Sequence, residues 1–269
     1  MTAEKRVKLN TTTALITVVL YLVGSIFAGL LAAIFFGGVG QETPDARNID
    51  GLIDNTTISY LIVSAALFYI CFRVFKESSH RIFFEEKAIN QPRYYYLFPL
   101  LSLAVSAFAL TQVDYAAFSA RDILLVILAA LAIGANEEIV TRGILLVGLR
   151  NSGVREWIAW LITLIVFSLM HLVNLLSGAN LTVLLVVLTG GTLWYVSRRI
   201  FGNLFVSIFL HAIYDSAFFL LSGATLVGEN LPDHVLDIHL ASFLVLFVGS
   251  VIILFVGRSL FQRTTTTSA

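Results

Sequence analysis

The chain of 269 residues is 58% hydrophobic and 13% charged, against roughly 45–50% apolar and about 25% charged in soluble globular proteins, which excludes a soluble enzyme. Seventeen Lys and Arg balance seventeen Asp and Glu, so no basic excess exists to hold a polyanion and nucleic acid is excluded as a partner. The single cysteine, Cys71 in an apolar run, supports neither an intramolecular disulfide nor a cysteine-based metal site.

A helix of about 20 apolar residues crosses a hydrocarbon core of about 30 Å. The sequence predicts eight, near residues 14–36, 56–75, 94–112, 123–149, 156–176, 181–197, 203–222 and 238–257. These runs are long and continuous and lack the alternation of a membrane barrel, so the fold class is all-α, a polytopic helical membrane protein. The first run follows Lys5, Arg6 and Lys8 as a signal peptide would, but its 23 residues exceed a signal core of about 7–15, and it reads as a retained span. The stretches 37–55, 76–93 and 223–237 are too short for a second domain, so residues 1–269 read as a single integral membrane domain. Within them, Glu85 to Tyr96, with Pro92 and three tyrosines from Tyr94, reads as a turn feeding an interfacial aromatic anchor. The tail Thr264 to Ala269 is of low complexity and is expected to be disordered.

Sorting the basic residues between alternate loops sets the orientation. With the N-terminus inside, fourteen Lys and Arg fall on the cytoplasmic side, among them Arg73, Arg81, Arg150, Arg198 and Arg199, while only Arg47 and Arg121 fall outside. An even number of spans with both termini cytoplasmic follows, and a missed span would scramble the segregation.

Six ionisable residues lie inside predicted spans: Glu137, Glu138, Arg142, His171, His211 and Asp215. A charge at a helix centre costs roughly 2.5–3.5 kcal/mol on insertion scales, so these groups must face one another or water. Residues three or four apart share a helix face. Glu138 and Arg142 therefore form an internal ion pair, which turns Glu137 onto another face as the candidate for chemistry. Phe167, His171 and Asn174 form one stripe on the next span, at i, i+4 and i+7. His211 and Asp215 are again i, i+4, so the carboxylate can orient the imidazole. Any one of these taken singly reads as buried glue, but their convergence in one chain points to a polar cavity bounded by spans four, five and seven. His80, His234 and His239 sit in loops or at a span edge and receive no role.

The order Glu137-Glu138-x-x-x-Arg142, Phe167-x-x-x-His171, His211-x-x-x-Asp215 resembles the three-motif signature of the CPBP family, the CAAX prenyl protease and bacteriocin-processing (Abi) intramembrane proteases. The resemblance covers roughly residues 121–222, and the first three spans carry no motif of it. It implies an intramembrane endopeptidase of the glutamate type, located in the cell membrane and acting on a membrane-associated or lipidated peptide. Carried over, Glu137 is the general base with His171 its partner, Glu138 and Arg142 hold the geometry, and His211 with Asp215 occupies the oxyanion positions. The family's last position is often Asn, whose amide donates, whereas an ionised Asp only accepts. Asp215 is therefore assigned to favouring an imidazolium at His211, which donates to the developing charge. Asn174 is a candidate second donor.

Peptide hydrolysis needs an activated water, a donor for the oxyanion and a proton for the leaving amine, and these residues cover all three. No metal or other cofactor is expected; were zinc bound, Glu137, His171 and His211 are the ligands its preferences would select. Two other readings use the same residues. One is a non-proteolytic membrane scaffold or bacteriocin self-immunity protein, which some members of the family resemble. The other is a proton-coupled transporter, which the absence of an internal repeat disfavours. The substrate and the oligomeric state are not readable from the sequence.

Overall fold

A computed structural model of the chain describes residues 7–36, 57–85, 87, 93–172, 182–222 and 233–256. Every element of it longer than one turn is helical, and among the described residues the only β pairing is an isolated bridge between Phe84 and Asn203. The helices are α1 (Thr11–Phe36), α2 (Ile58–Tyr69), α3 (Ser79–Phe83), α4 (Leu97–Thr111), α5 (Ala120–Glu138), α6 (Leu146–Asn151), α7 (Glu156–Met170), α8 (Thr182–Phe201), α9 (Leu204–Leu221) and α10 (Asp233–Val256). A π-helical turn, Ile70–Val74, extends α2, and a π-helical stretch, Ile139–Leu145, joins α5 to α6 without a break.

Local chemistry explains the helix starts. At α1, the Asn10 N–H donates to Thr13 Oγ1 and the Thr13 N–H donates to Asn10 Oδ1, a reciprocal cap for orphan amides. Ser119 and Asp122 make a full capping box at α5, and the Asn203 side chain accepts from the Phe205 N–H at α9. Gly202 is required immediately before that cap: its φ is +65°, and a Cβ there would sit 2.5 Å from the Glu85 carbonyl oxygen.

The outward faces are those of a membrane protein. On α1, Ala14, Val18, Tyr21 and Ala28 are buried while Ile16, Val19, Leu20, Val23, Ile26, Phe27 and Leu30 are exposed, an apolar stripe that only hydrocarbon tolerates at this size. Among the described residues three helices, Thr11–Leu31, Ala120–Asn151 and Leu204–Leu221, are long and apolar enough to cross a bilayer alone. A fourth candidate is Ile58–Val74 taken with Lys76–Phe83, which turns away by 94°. Two of the eight expected spans are shorter than the sequence suggests: α4 and α7 have 15 residues each, a rise of about 22 Å. The apolar run 156–176 overshoots because hydropathy does not register the end of α7 at Met170, where His171 takes the C-cap with ψ near 0°.

Centrally, α5 packs most extensively against α9, which also lies along α4 and α8; α8 in turn contacts α7 and α10, and α1 and α2 pack together against the α5–α6 unit. Close approach at the α5–α9 seam depends on Gly134, whose missing Cβ faces the Ala212 nitrogen and Ile208 oxygen at 3.3 Å. All three motifs are carried by this centre. Of the two tyrosines whose side chains are described, Tyr95 is wholly buried, which departs from the anchor reading, and Tyr96 is exposed. The acidic loop 37–55, the Tyr94 side chain, the side chains of His234 and His239, and the Thr264–Ala269 tail lie outside the described residues.

Candidate active site

Glu137 and Glu138 close α5, and the chain then passes into the π-helical stretch. The Thr141 hydroxyl donates to the Glu137 carbonyl at 2.6 Å, filling an acceptor at the junction of the two helical forms. Arg142 Nη1 donates to Glu138 Oε1 at 3.0 Å and to Thr141 Oγ1 at 2.8 Å, its Nη2 donates to the Gly191 carbonyl at 2.9 Å, and the guanidinium lies 4.0 Å from the centre of the Phe167 ring. The ion pair expected from the i, i+4 spacing is thus present, with both partners buried.

The Phe-x-x-x-His spacing of the second motif has a direct physical meaning here. His171 Nδ1 lies 2.8 Å from the Phe167 carbonyl; a carbonyl only accepts, so Nδ1 carries the hydrogen and the opposite nitrogen, Nε2, faces Glu137. The Phe167 ring meets His171 and His211 edge-on, with centroids 4.8 and 5.9 Å away. One aromatic side chain thereby contacts the Arg142 guanidinium and two imidazoles.

His211 stands between carboxylates. Its Nδ1 lies 3.2 Å from Glu138 Oε1, and its Nε2 lies 3.5 Å from Asp215 Oδ2 and 3.8 Å from Glu137 Oε2. With acceptors facing both nitrogens, the arrangement suits a doubly protonated ring. Glu137 Oε2 is also 3.8 Å from His171 Nε2, is buried, and has no hydrogen-bond partner. Adjacent in sequence, Glu137 and Glu138 thus reach opposite nitrogens of one imidazole.

The structure therefore brings together seven of the eight sequence-predicted residues, Glu137, Glu138, Arg142, Phe167, His171, His211 and Asp215, from α5, its π-helical extension, α7 and α9. Asn174 lies outside the described residues. Three contributors carried no motif: Thr141, and on α8 Gly191 and Trp194, whose indole stacks on the His211 ring. A Trp and an Arg at i+3 and i+7 from a Gly inside an apolar run was the signal available for α8. A groove of about 460 Å³ lies between α1 and α2, lined by Thr17, Tyr21, Phe27, Ile62 and Leu67 among others, so a hollow is found one helix layer out from the place the sequence suggested.

As a metal site the cluster fits poorly. Tetrahedral zinc with bonds of about 2.0–2.1 Å holds its ligand atoms roughly 3.3 Å apart, the carboxylate-to-imidazole separations here are 3.8 Å, and among the described residues no group of three or more His, Cys, Asp or Glu is arranged to hold an ion.

A second buried charge cluster lies at one end of the bundle. Glu85 accepts from Arg150 Nη1 at 2.6 Å, Arg198 Nε at 2.8 Å and Arg199 Nη1 at 3.0 Å. Glu156 accepts from Arg150 and from the Tyr195 hydroxyl. Arg198 also donates to the carbonyls of Arg81, Ile82 and Arg142. Sequence reading placed these arginines on the cytoplasmic side; Arg198 and Arg199 are buried, because two carboxylates and several carbonyls take up their donors. Their meeting does put three of the orientation-setting arginines at a common end. Burial raises the proton affinity of Glu85, but the three guanidiniums outweigh it and hold the carboxyl well below the usual carboxylate range.

The described residues thus form a bundle of apolar helices with a buried Glu/Glu/His/His cluster in which one carboxylate is clamped by an arginine. Residues 119–217 match the family described as type II CAAX prenyl endopeptidase Rce1-like, and this likeness of the motif-bearing core supports the CPBP/CAAX protease family. No curated protein and no solved structure matches the chain.

Proposed function

We propose that the protein is an intramembrane endopeptidase that hydrolyses a peptide bond of a membrane-associated or lipidated substrate by Glu/His-activated water, in the cell membrane and with both termini cytoplasmic. The observation that carries this reading is Glu137 Oε2, buried without a partner and 3.8 Å from an Nε2 of each histidine. That separation is too long for a direct hydrogen bond and suits one bridging water.

In this reading, the water donates toward the Glu137 carboxylate and the bare Nε2 of His171, leaving an oxygen lone pair for the scissile carbonyl carbon. As the C–O bond forms, the water proton passes to Glu137 and the carbonyl electrons collect on oxygen, where His211 Nε2–H donates to them. Collapse re-forms the carbonyl and breaks the C–N bond, while Glu137 returns its proton to the leaving amine. The products are a free amine and a carboxylic acid, whose remaining water-derived proton passes to His171 Nε2 and from there to solvent to leave a carboxylate, and Glu137 is ready for another cycle. Asp215 keeps the His211 ring supplied with an acceptor at Nε2 until substrate arrives. Glu138, fixed by Arg142, does the same at Nδ1.

The test is mass spectrometry of protein termini in membranes from cells carrying wild-type protein, Glu137→Gln or none. A terminus present only with wild type is expected, and it names the substrate and the cut site. Identical termini in all three, with the variant folded and equally abundant, would overturn the protease reading in favour of the scaffold or immunity role. The reading uses no metal, so cleavage in vitro is expected to survive strong chelators; loss restored by added zinc would reassign Glu137, His171 and His211 as ligands.

A further inference from the structure

Helix α8 carries none of the three motifs, yet it turns Gly191, Trp194 and Arg198, at i, i+3 and i+7, toward the active-site cluster. Gly191 accepts from the Arg142 side chain and Arg198 donates to the Arg142 carbonyl, so two members of this face hold the residue that fixes Glu138. The third, Trp194, lies flat on the His211 ring, with centroids 5.2 Å apart and 18° between the planes. The indole is itself immobilised, being 2% exposed with Tyr214 meeting it edge-on, and the Trp194 backbone carbonyl accepts from Ser207 Oγ of α9 at 2.8 Å, which ties the helix at that point.

We propose that Trp194 is a positioning residue for His211, setting the plane of the imidazole so that Nε2 is delivered between Glu137 and Asp215. The contact from Nδ1 to Glu138, at 3.2 Å, limits rotation about the Cβ–Cγ bond only loosely. A flat stack on an immobile indole closes that freedom, with the Phe167 edge as a further boundary 5.9 Å away. The same π face favours a ring carrying positive charge, the form that donates to an oxyanion in the proposed mechanism. Trp194 reaches neither Glu137 nor His171 in this geometry, so its effect passes through His211. The inference rests on the reading of this cluster as the active site, but the stack itself can be tested without catalysis.

The experiment uses the full-length protein in detergent micelles and has two arms. The chain has three tryptophans, so Trp157→Phe with Trp160→Phe leaves Trp194 as sole emitter. An imidazole stacked on an indole quenches its fluorescence, and His211→Gln in this background is expected at least to double the emission. Unchanged emission would overturn the stack, and with it the proposal, whether or not the protein is a protease. The other arm follows cleavage of the substrate found by terminus mapping. Trp194→Leu is expected to lower kcat about tenfold or more with KM little changed, and Trp194→Phe to retain most of the rate. A kcat for Trp194→Leu equal to wild type, or Phe and Leu variants equally impaired, would overturn the positioning role. Absence of cleavage by wild type would count against the protease reading alone, because the emission result stands apart from it.

Discussion

The protein buries two clusters of charge, and they are built on opposite principles. In the cluster around Glu85 and Glu156, three arginines, a tyrosine hydroxyl and three carbonyls are matched so completely that none of its buried side-chain nitrogen or oxygen atoms lacks a partner. In the cluster around Glu137, three buried atoms stand without one, Glu137 Oε2, Glu138 Oε2 and Arg142 Nε. Leaving a buried polar group unsatisfied costs about 1–3 kcal/mol, so a fold that completes one cluster and leaves the other open is holding the open one for something that arrives from outside. The closed cluster ties together α6, α7, α8 and the chain after α3; the open one holds reactive groups at distances that a water and a peptide can fill.

The largest effect that separates them is on rate. Glu137→Gln is expected to reduce cleavage about a thousandfold or more while leaving the melting temperature in detergent unchanged, because no hydrogen bond to the lost oxygen exists to be broken. Glu85→Gln should do the reverse. It leaves three guanidiniums sharing a neutral amide, and breaking a buried ion pair costs about 3–5 kcal/mol, so the yield of folded protein and its melting temperature should fall, with kcat of the surviving fraction close to wild type. A thermal-shift measurement beside a cleavage assay on both variants checks the pair. A collapse of stability in Glu137→Gln would mean that the open cluster is structural as well.

A smaller break is available through the backbone. Gly202→Ala forces a left-handed residue to carry a Cβ against the Glu85 carbonyl, and a cost of about 1–3 kcal/mol is expected, read as a lower melting temperature at normal kcat. On the open side, Asp215→Asn is expected to lower kcat about tenfold or less, since Asn still accepts at Oδ1 and can itself donate to an oxyanion. If Asp215→Asn proved as inactive as Glu137→Gln, Asp215 would have to be moved into the proton-transfer role.

The open cluster was far more legible in the sequence than the closed one, for a physical reason. Glu137, His171, His211 and Asp215 sit in the middle of apolar runs, where any charge is conspicuous, and the i, i+4 rule already paired Glu138 with Arg142. Glu85, Glu156, Arg150, Arg198 and Arg199 sit at the ends of such runs, where charges are ordinary, and nothing in their spacing says that residues 85 and 198 meet. Hydropathy placed the long helices close to where they lie, yet it missed the π-helical stretch after Glu138, because a helix that winds wider has the same composition as one that does not. It also missed the early end of α7 at Met170, for apolar residues continue past the helix. Trp194 received no reading from the sequence and Tyr95 was read as part of an anchor, since their importance lies in what stands opposite them, which is a property of the fold.

The smallest effect expected is one of pH, and it bears on the closed cluster alone. Burial opposes the charge of Glu85, but Arg150, Arg198 and Arg199 together prevail and hold its folded-state proton affinity well below that of an unfolded glutamate, which titrates near about 4.3. A carboxylate depressed in this way contributes stability that is fully present above the unfolded value and is lost as pH falls below it toward the folded one. Between about pH 8 and pH 5 Glu85 should therefore add no slope to the stability of the protein, and below about pH 4 the wild type should lose stability faster than Glu85→Gln, which has no carboxylate to protonate. The two melting curves should converge in acid, because a protonated Glu85 and a glutamine leave the three arginines in much the same position. Parallel curves would mean that the arginines do not depend on Glu85 for their charge balance, and Glu156 would then be the carboxylate that keeps the cluster closed.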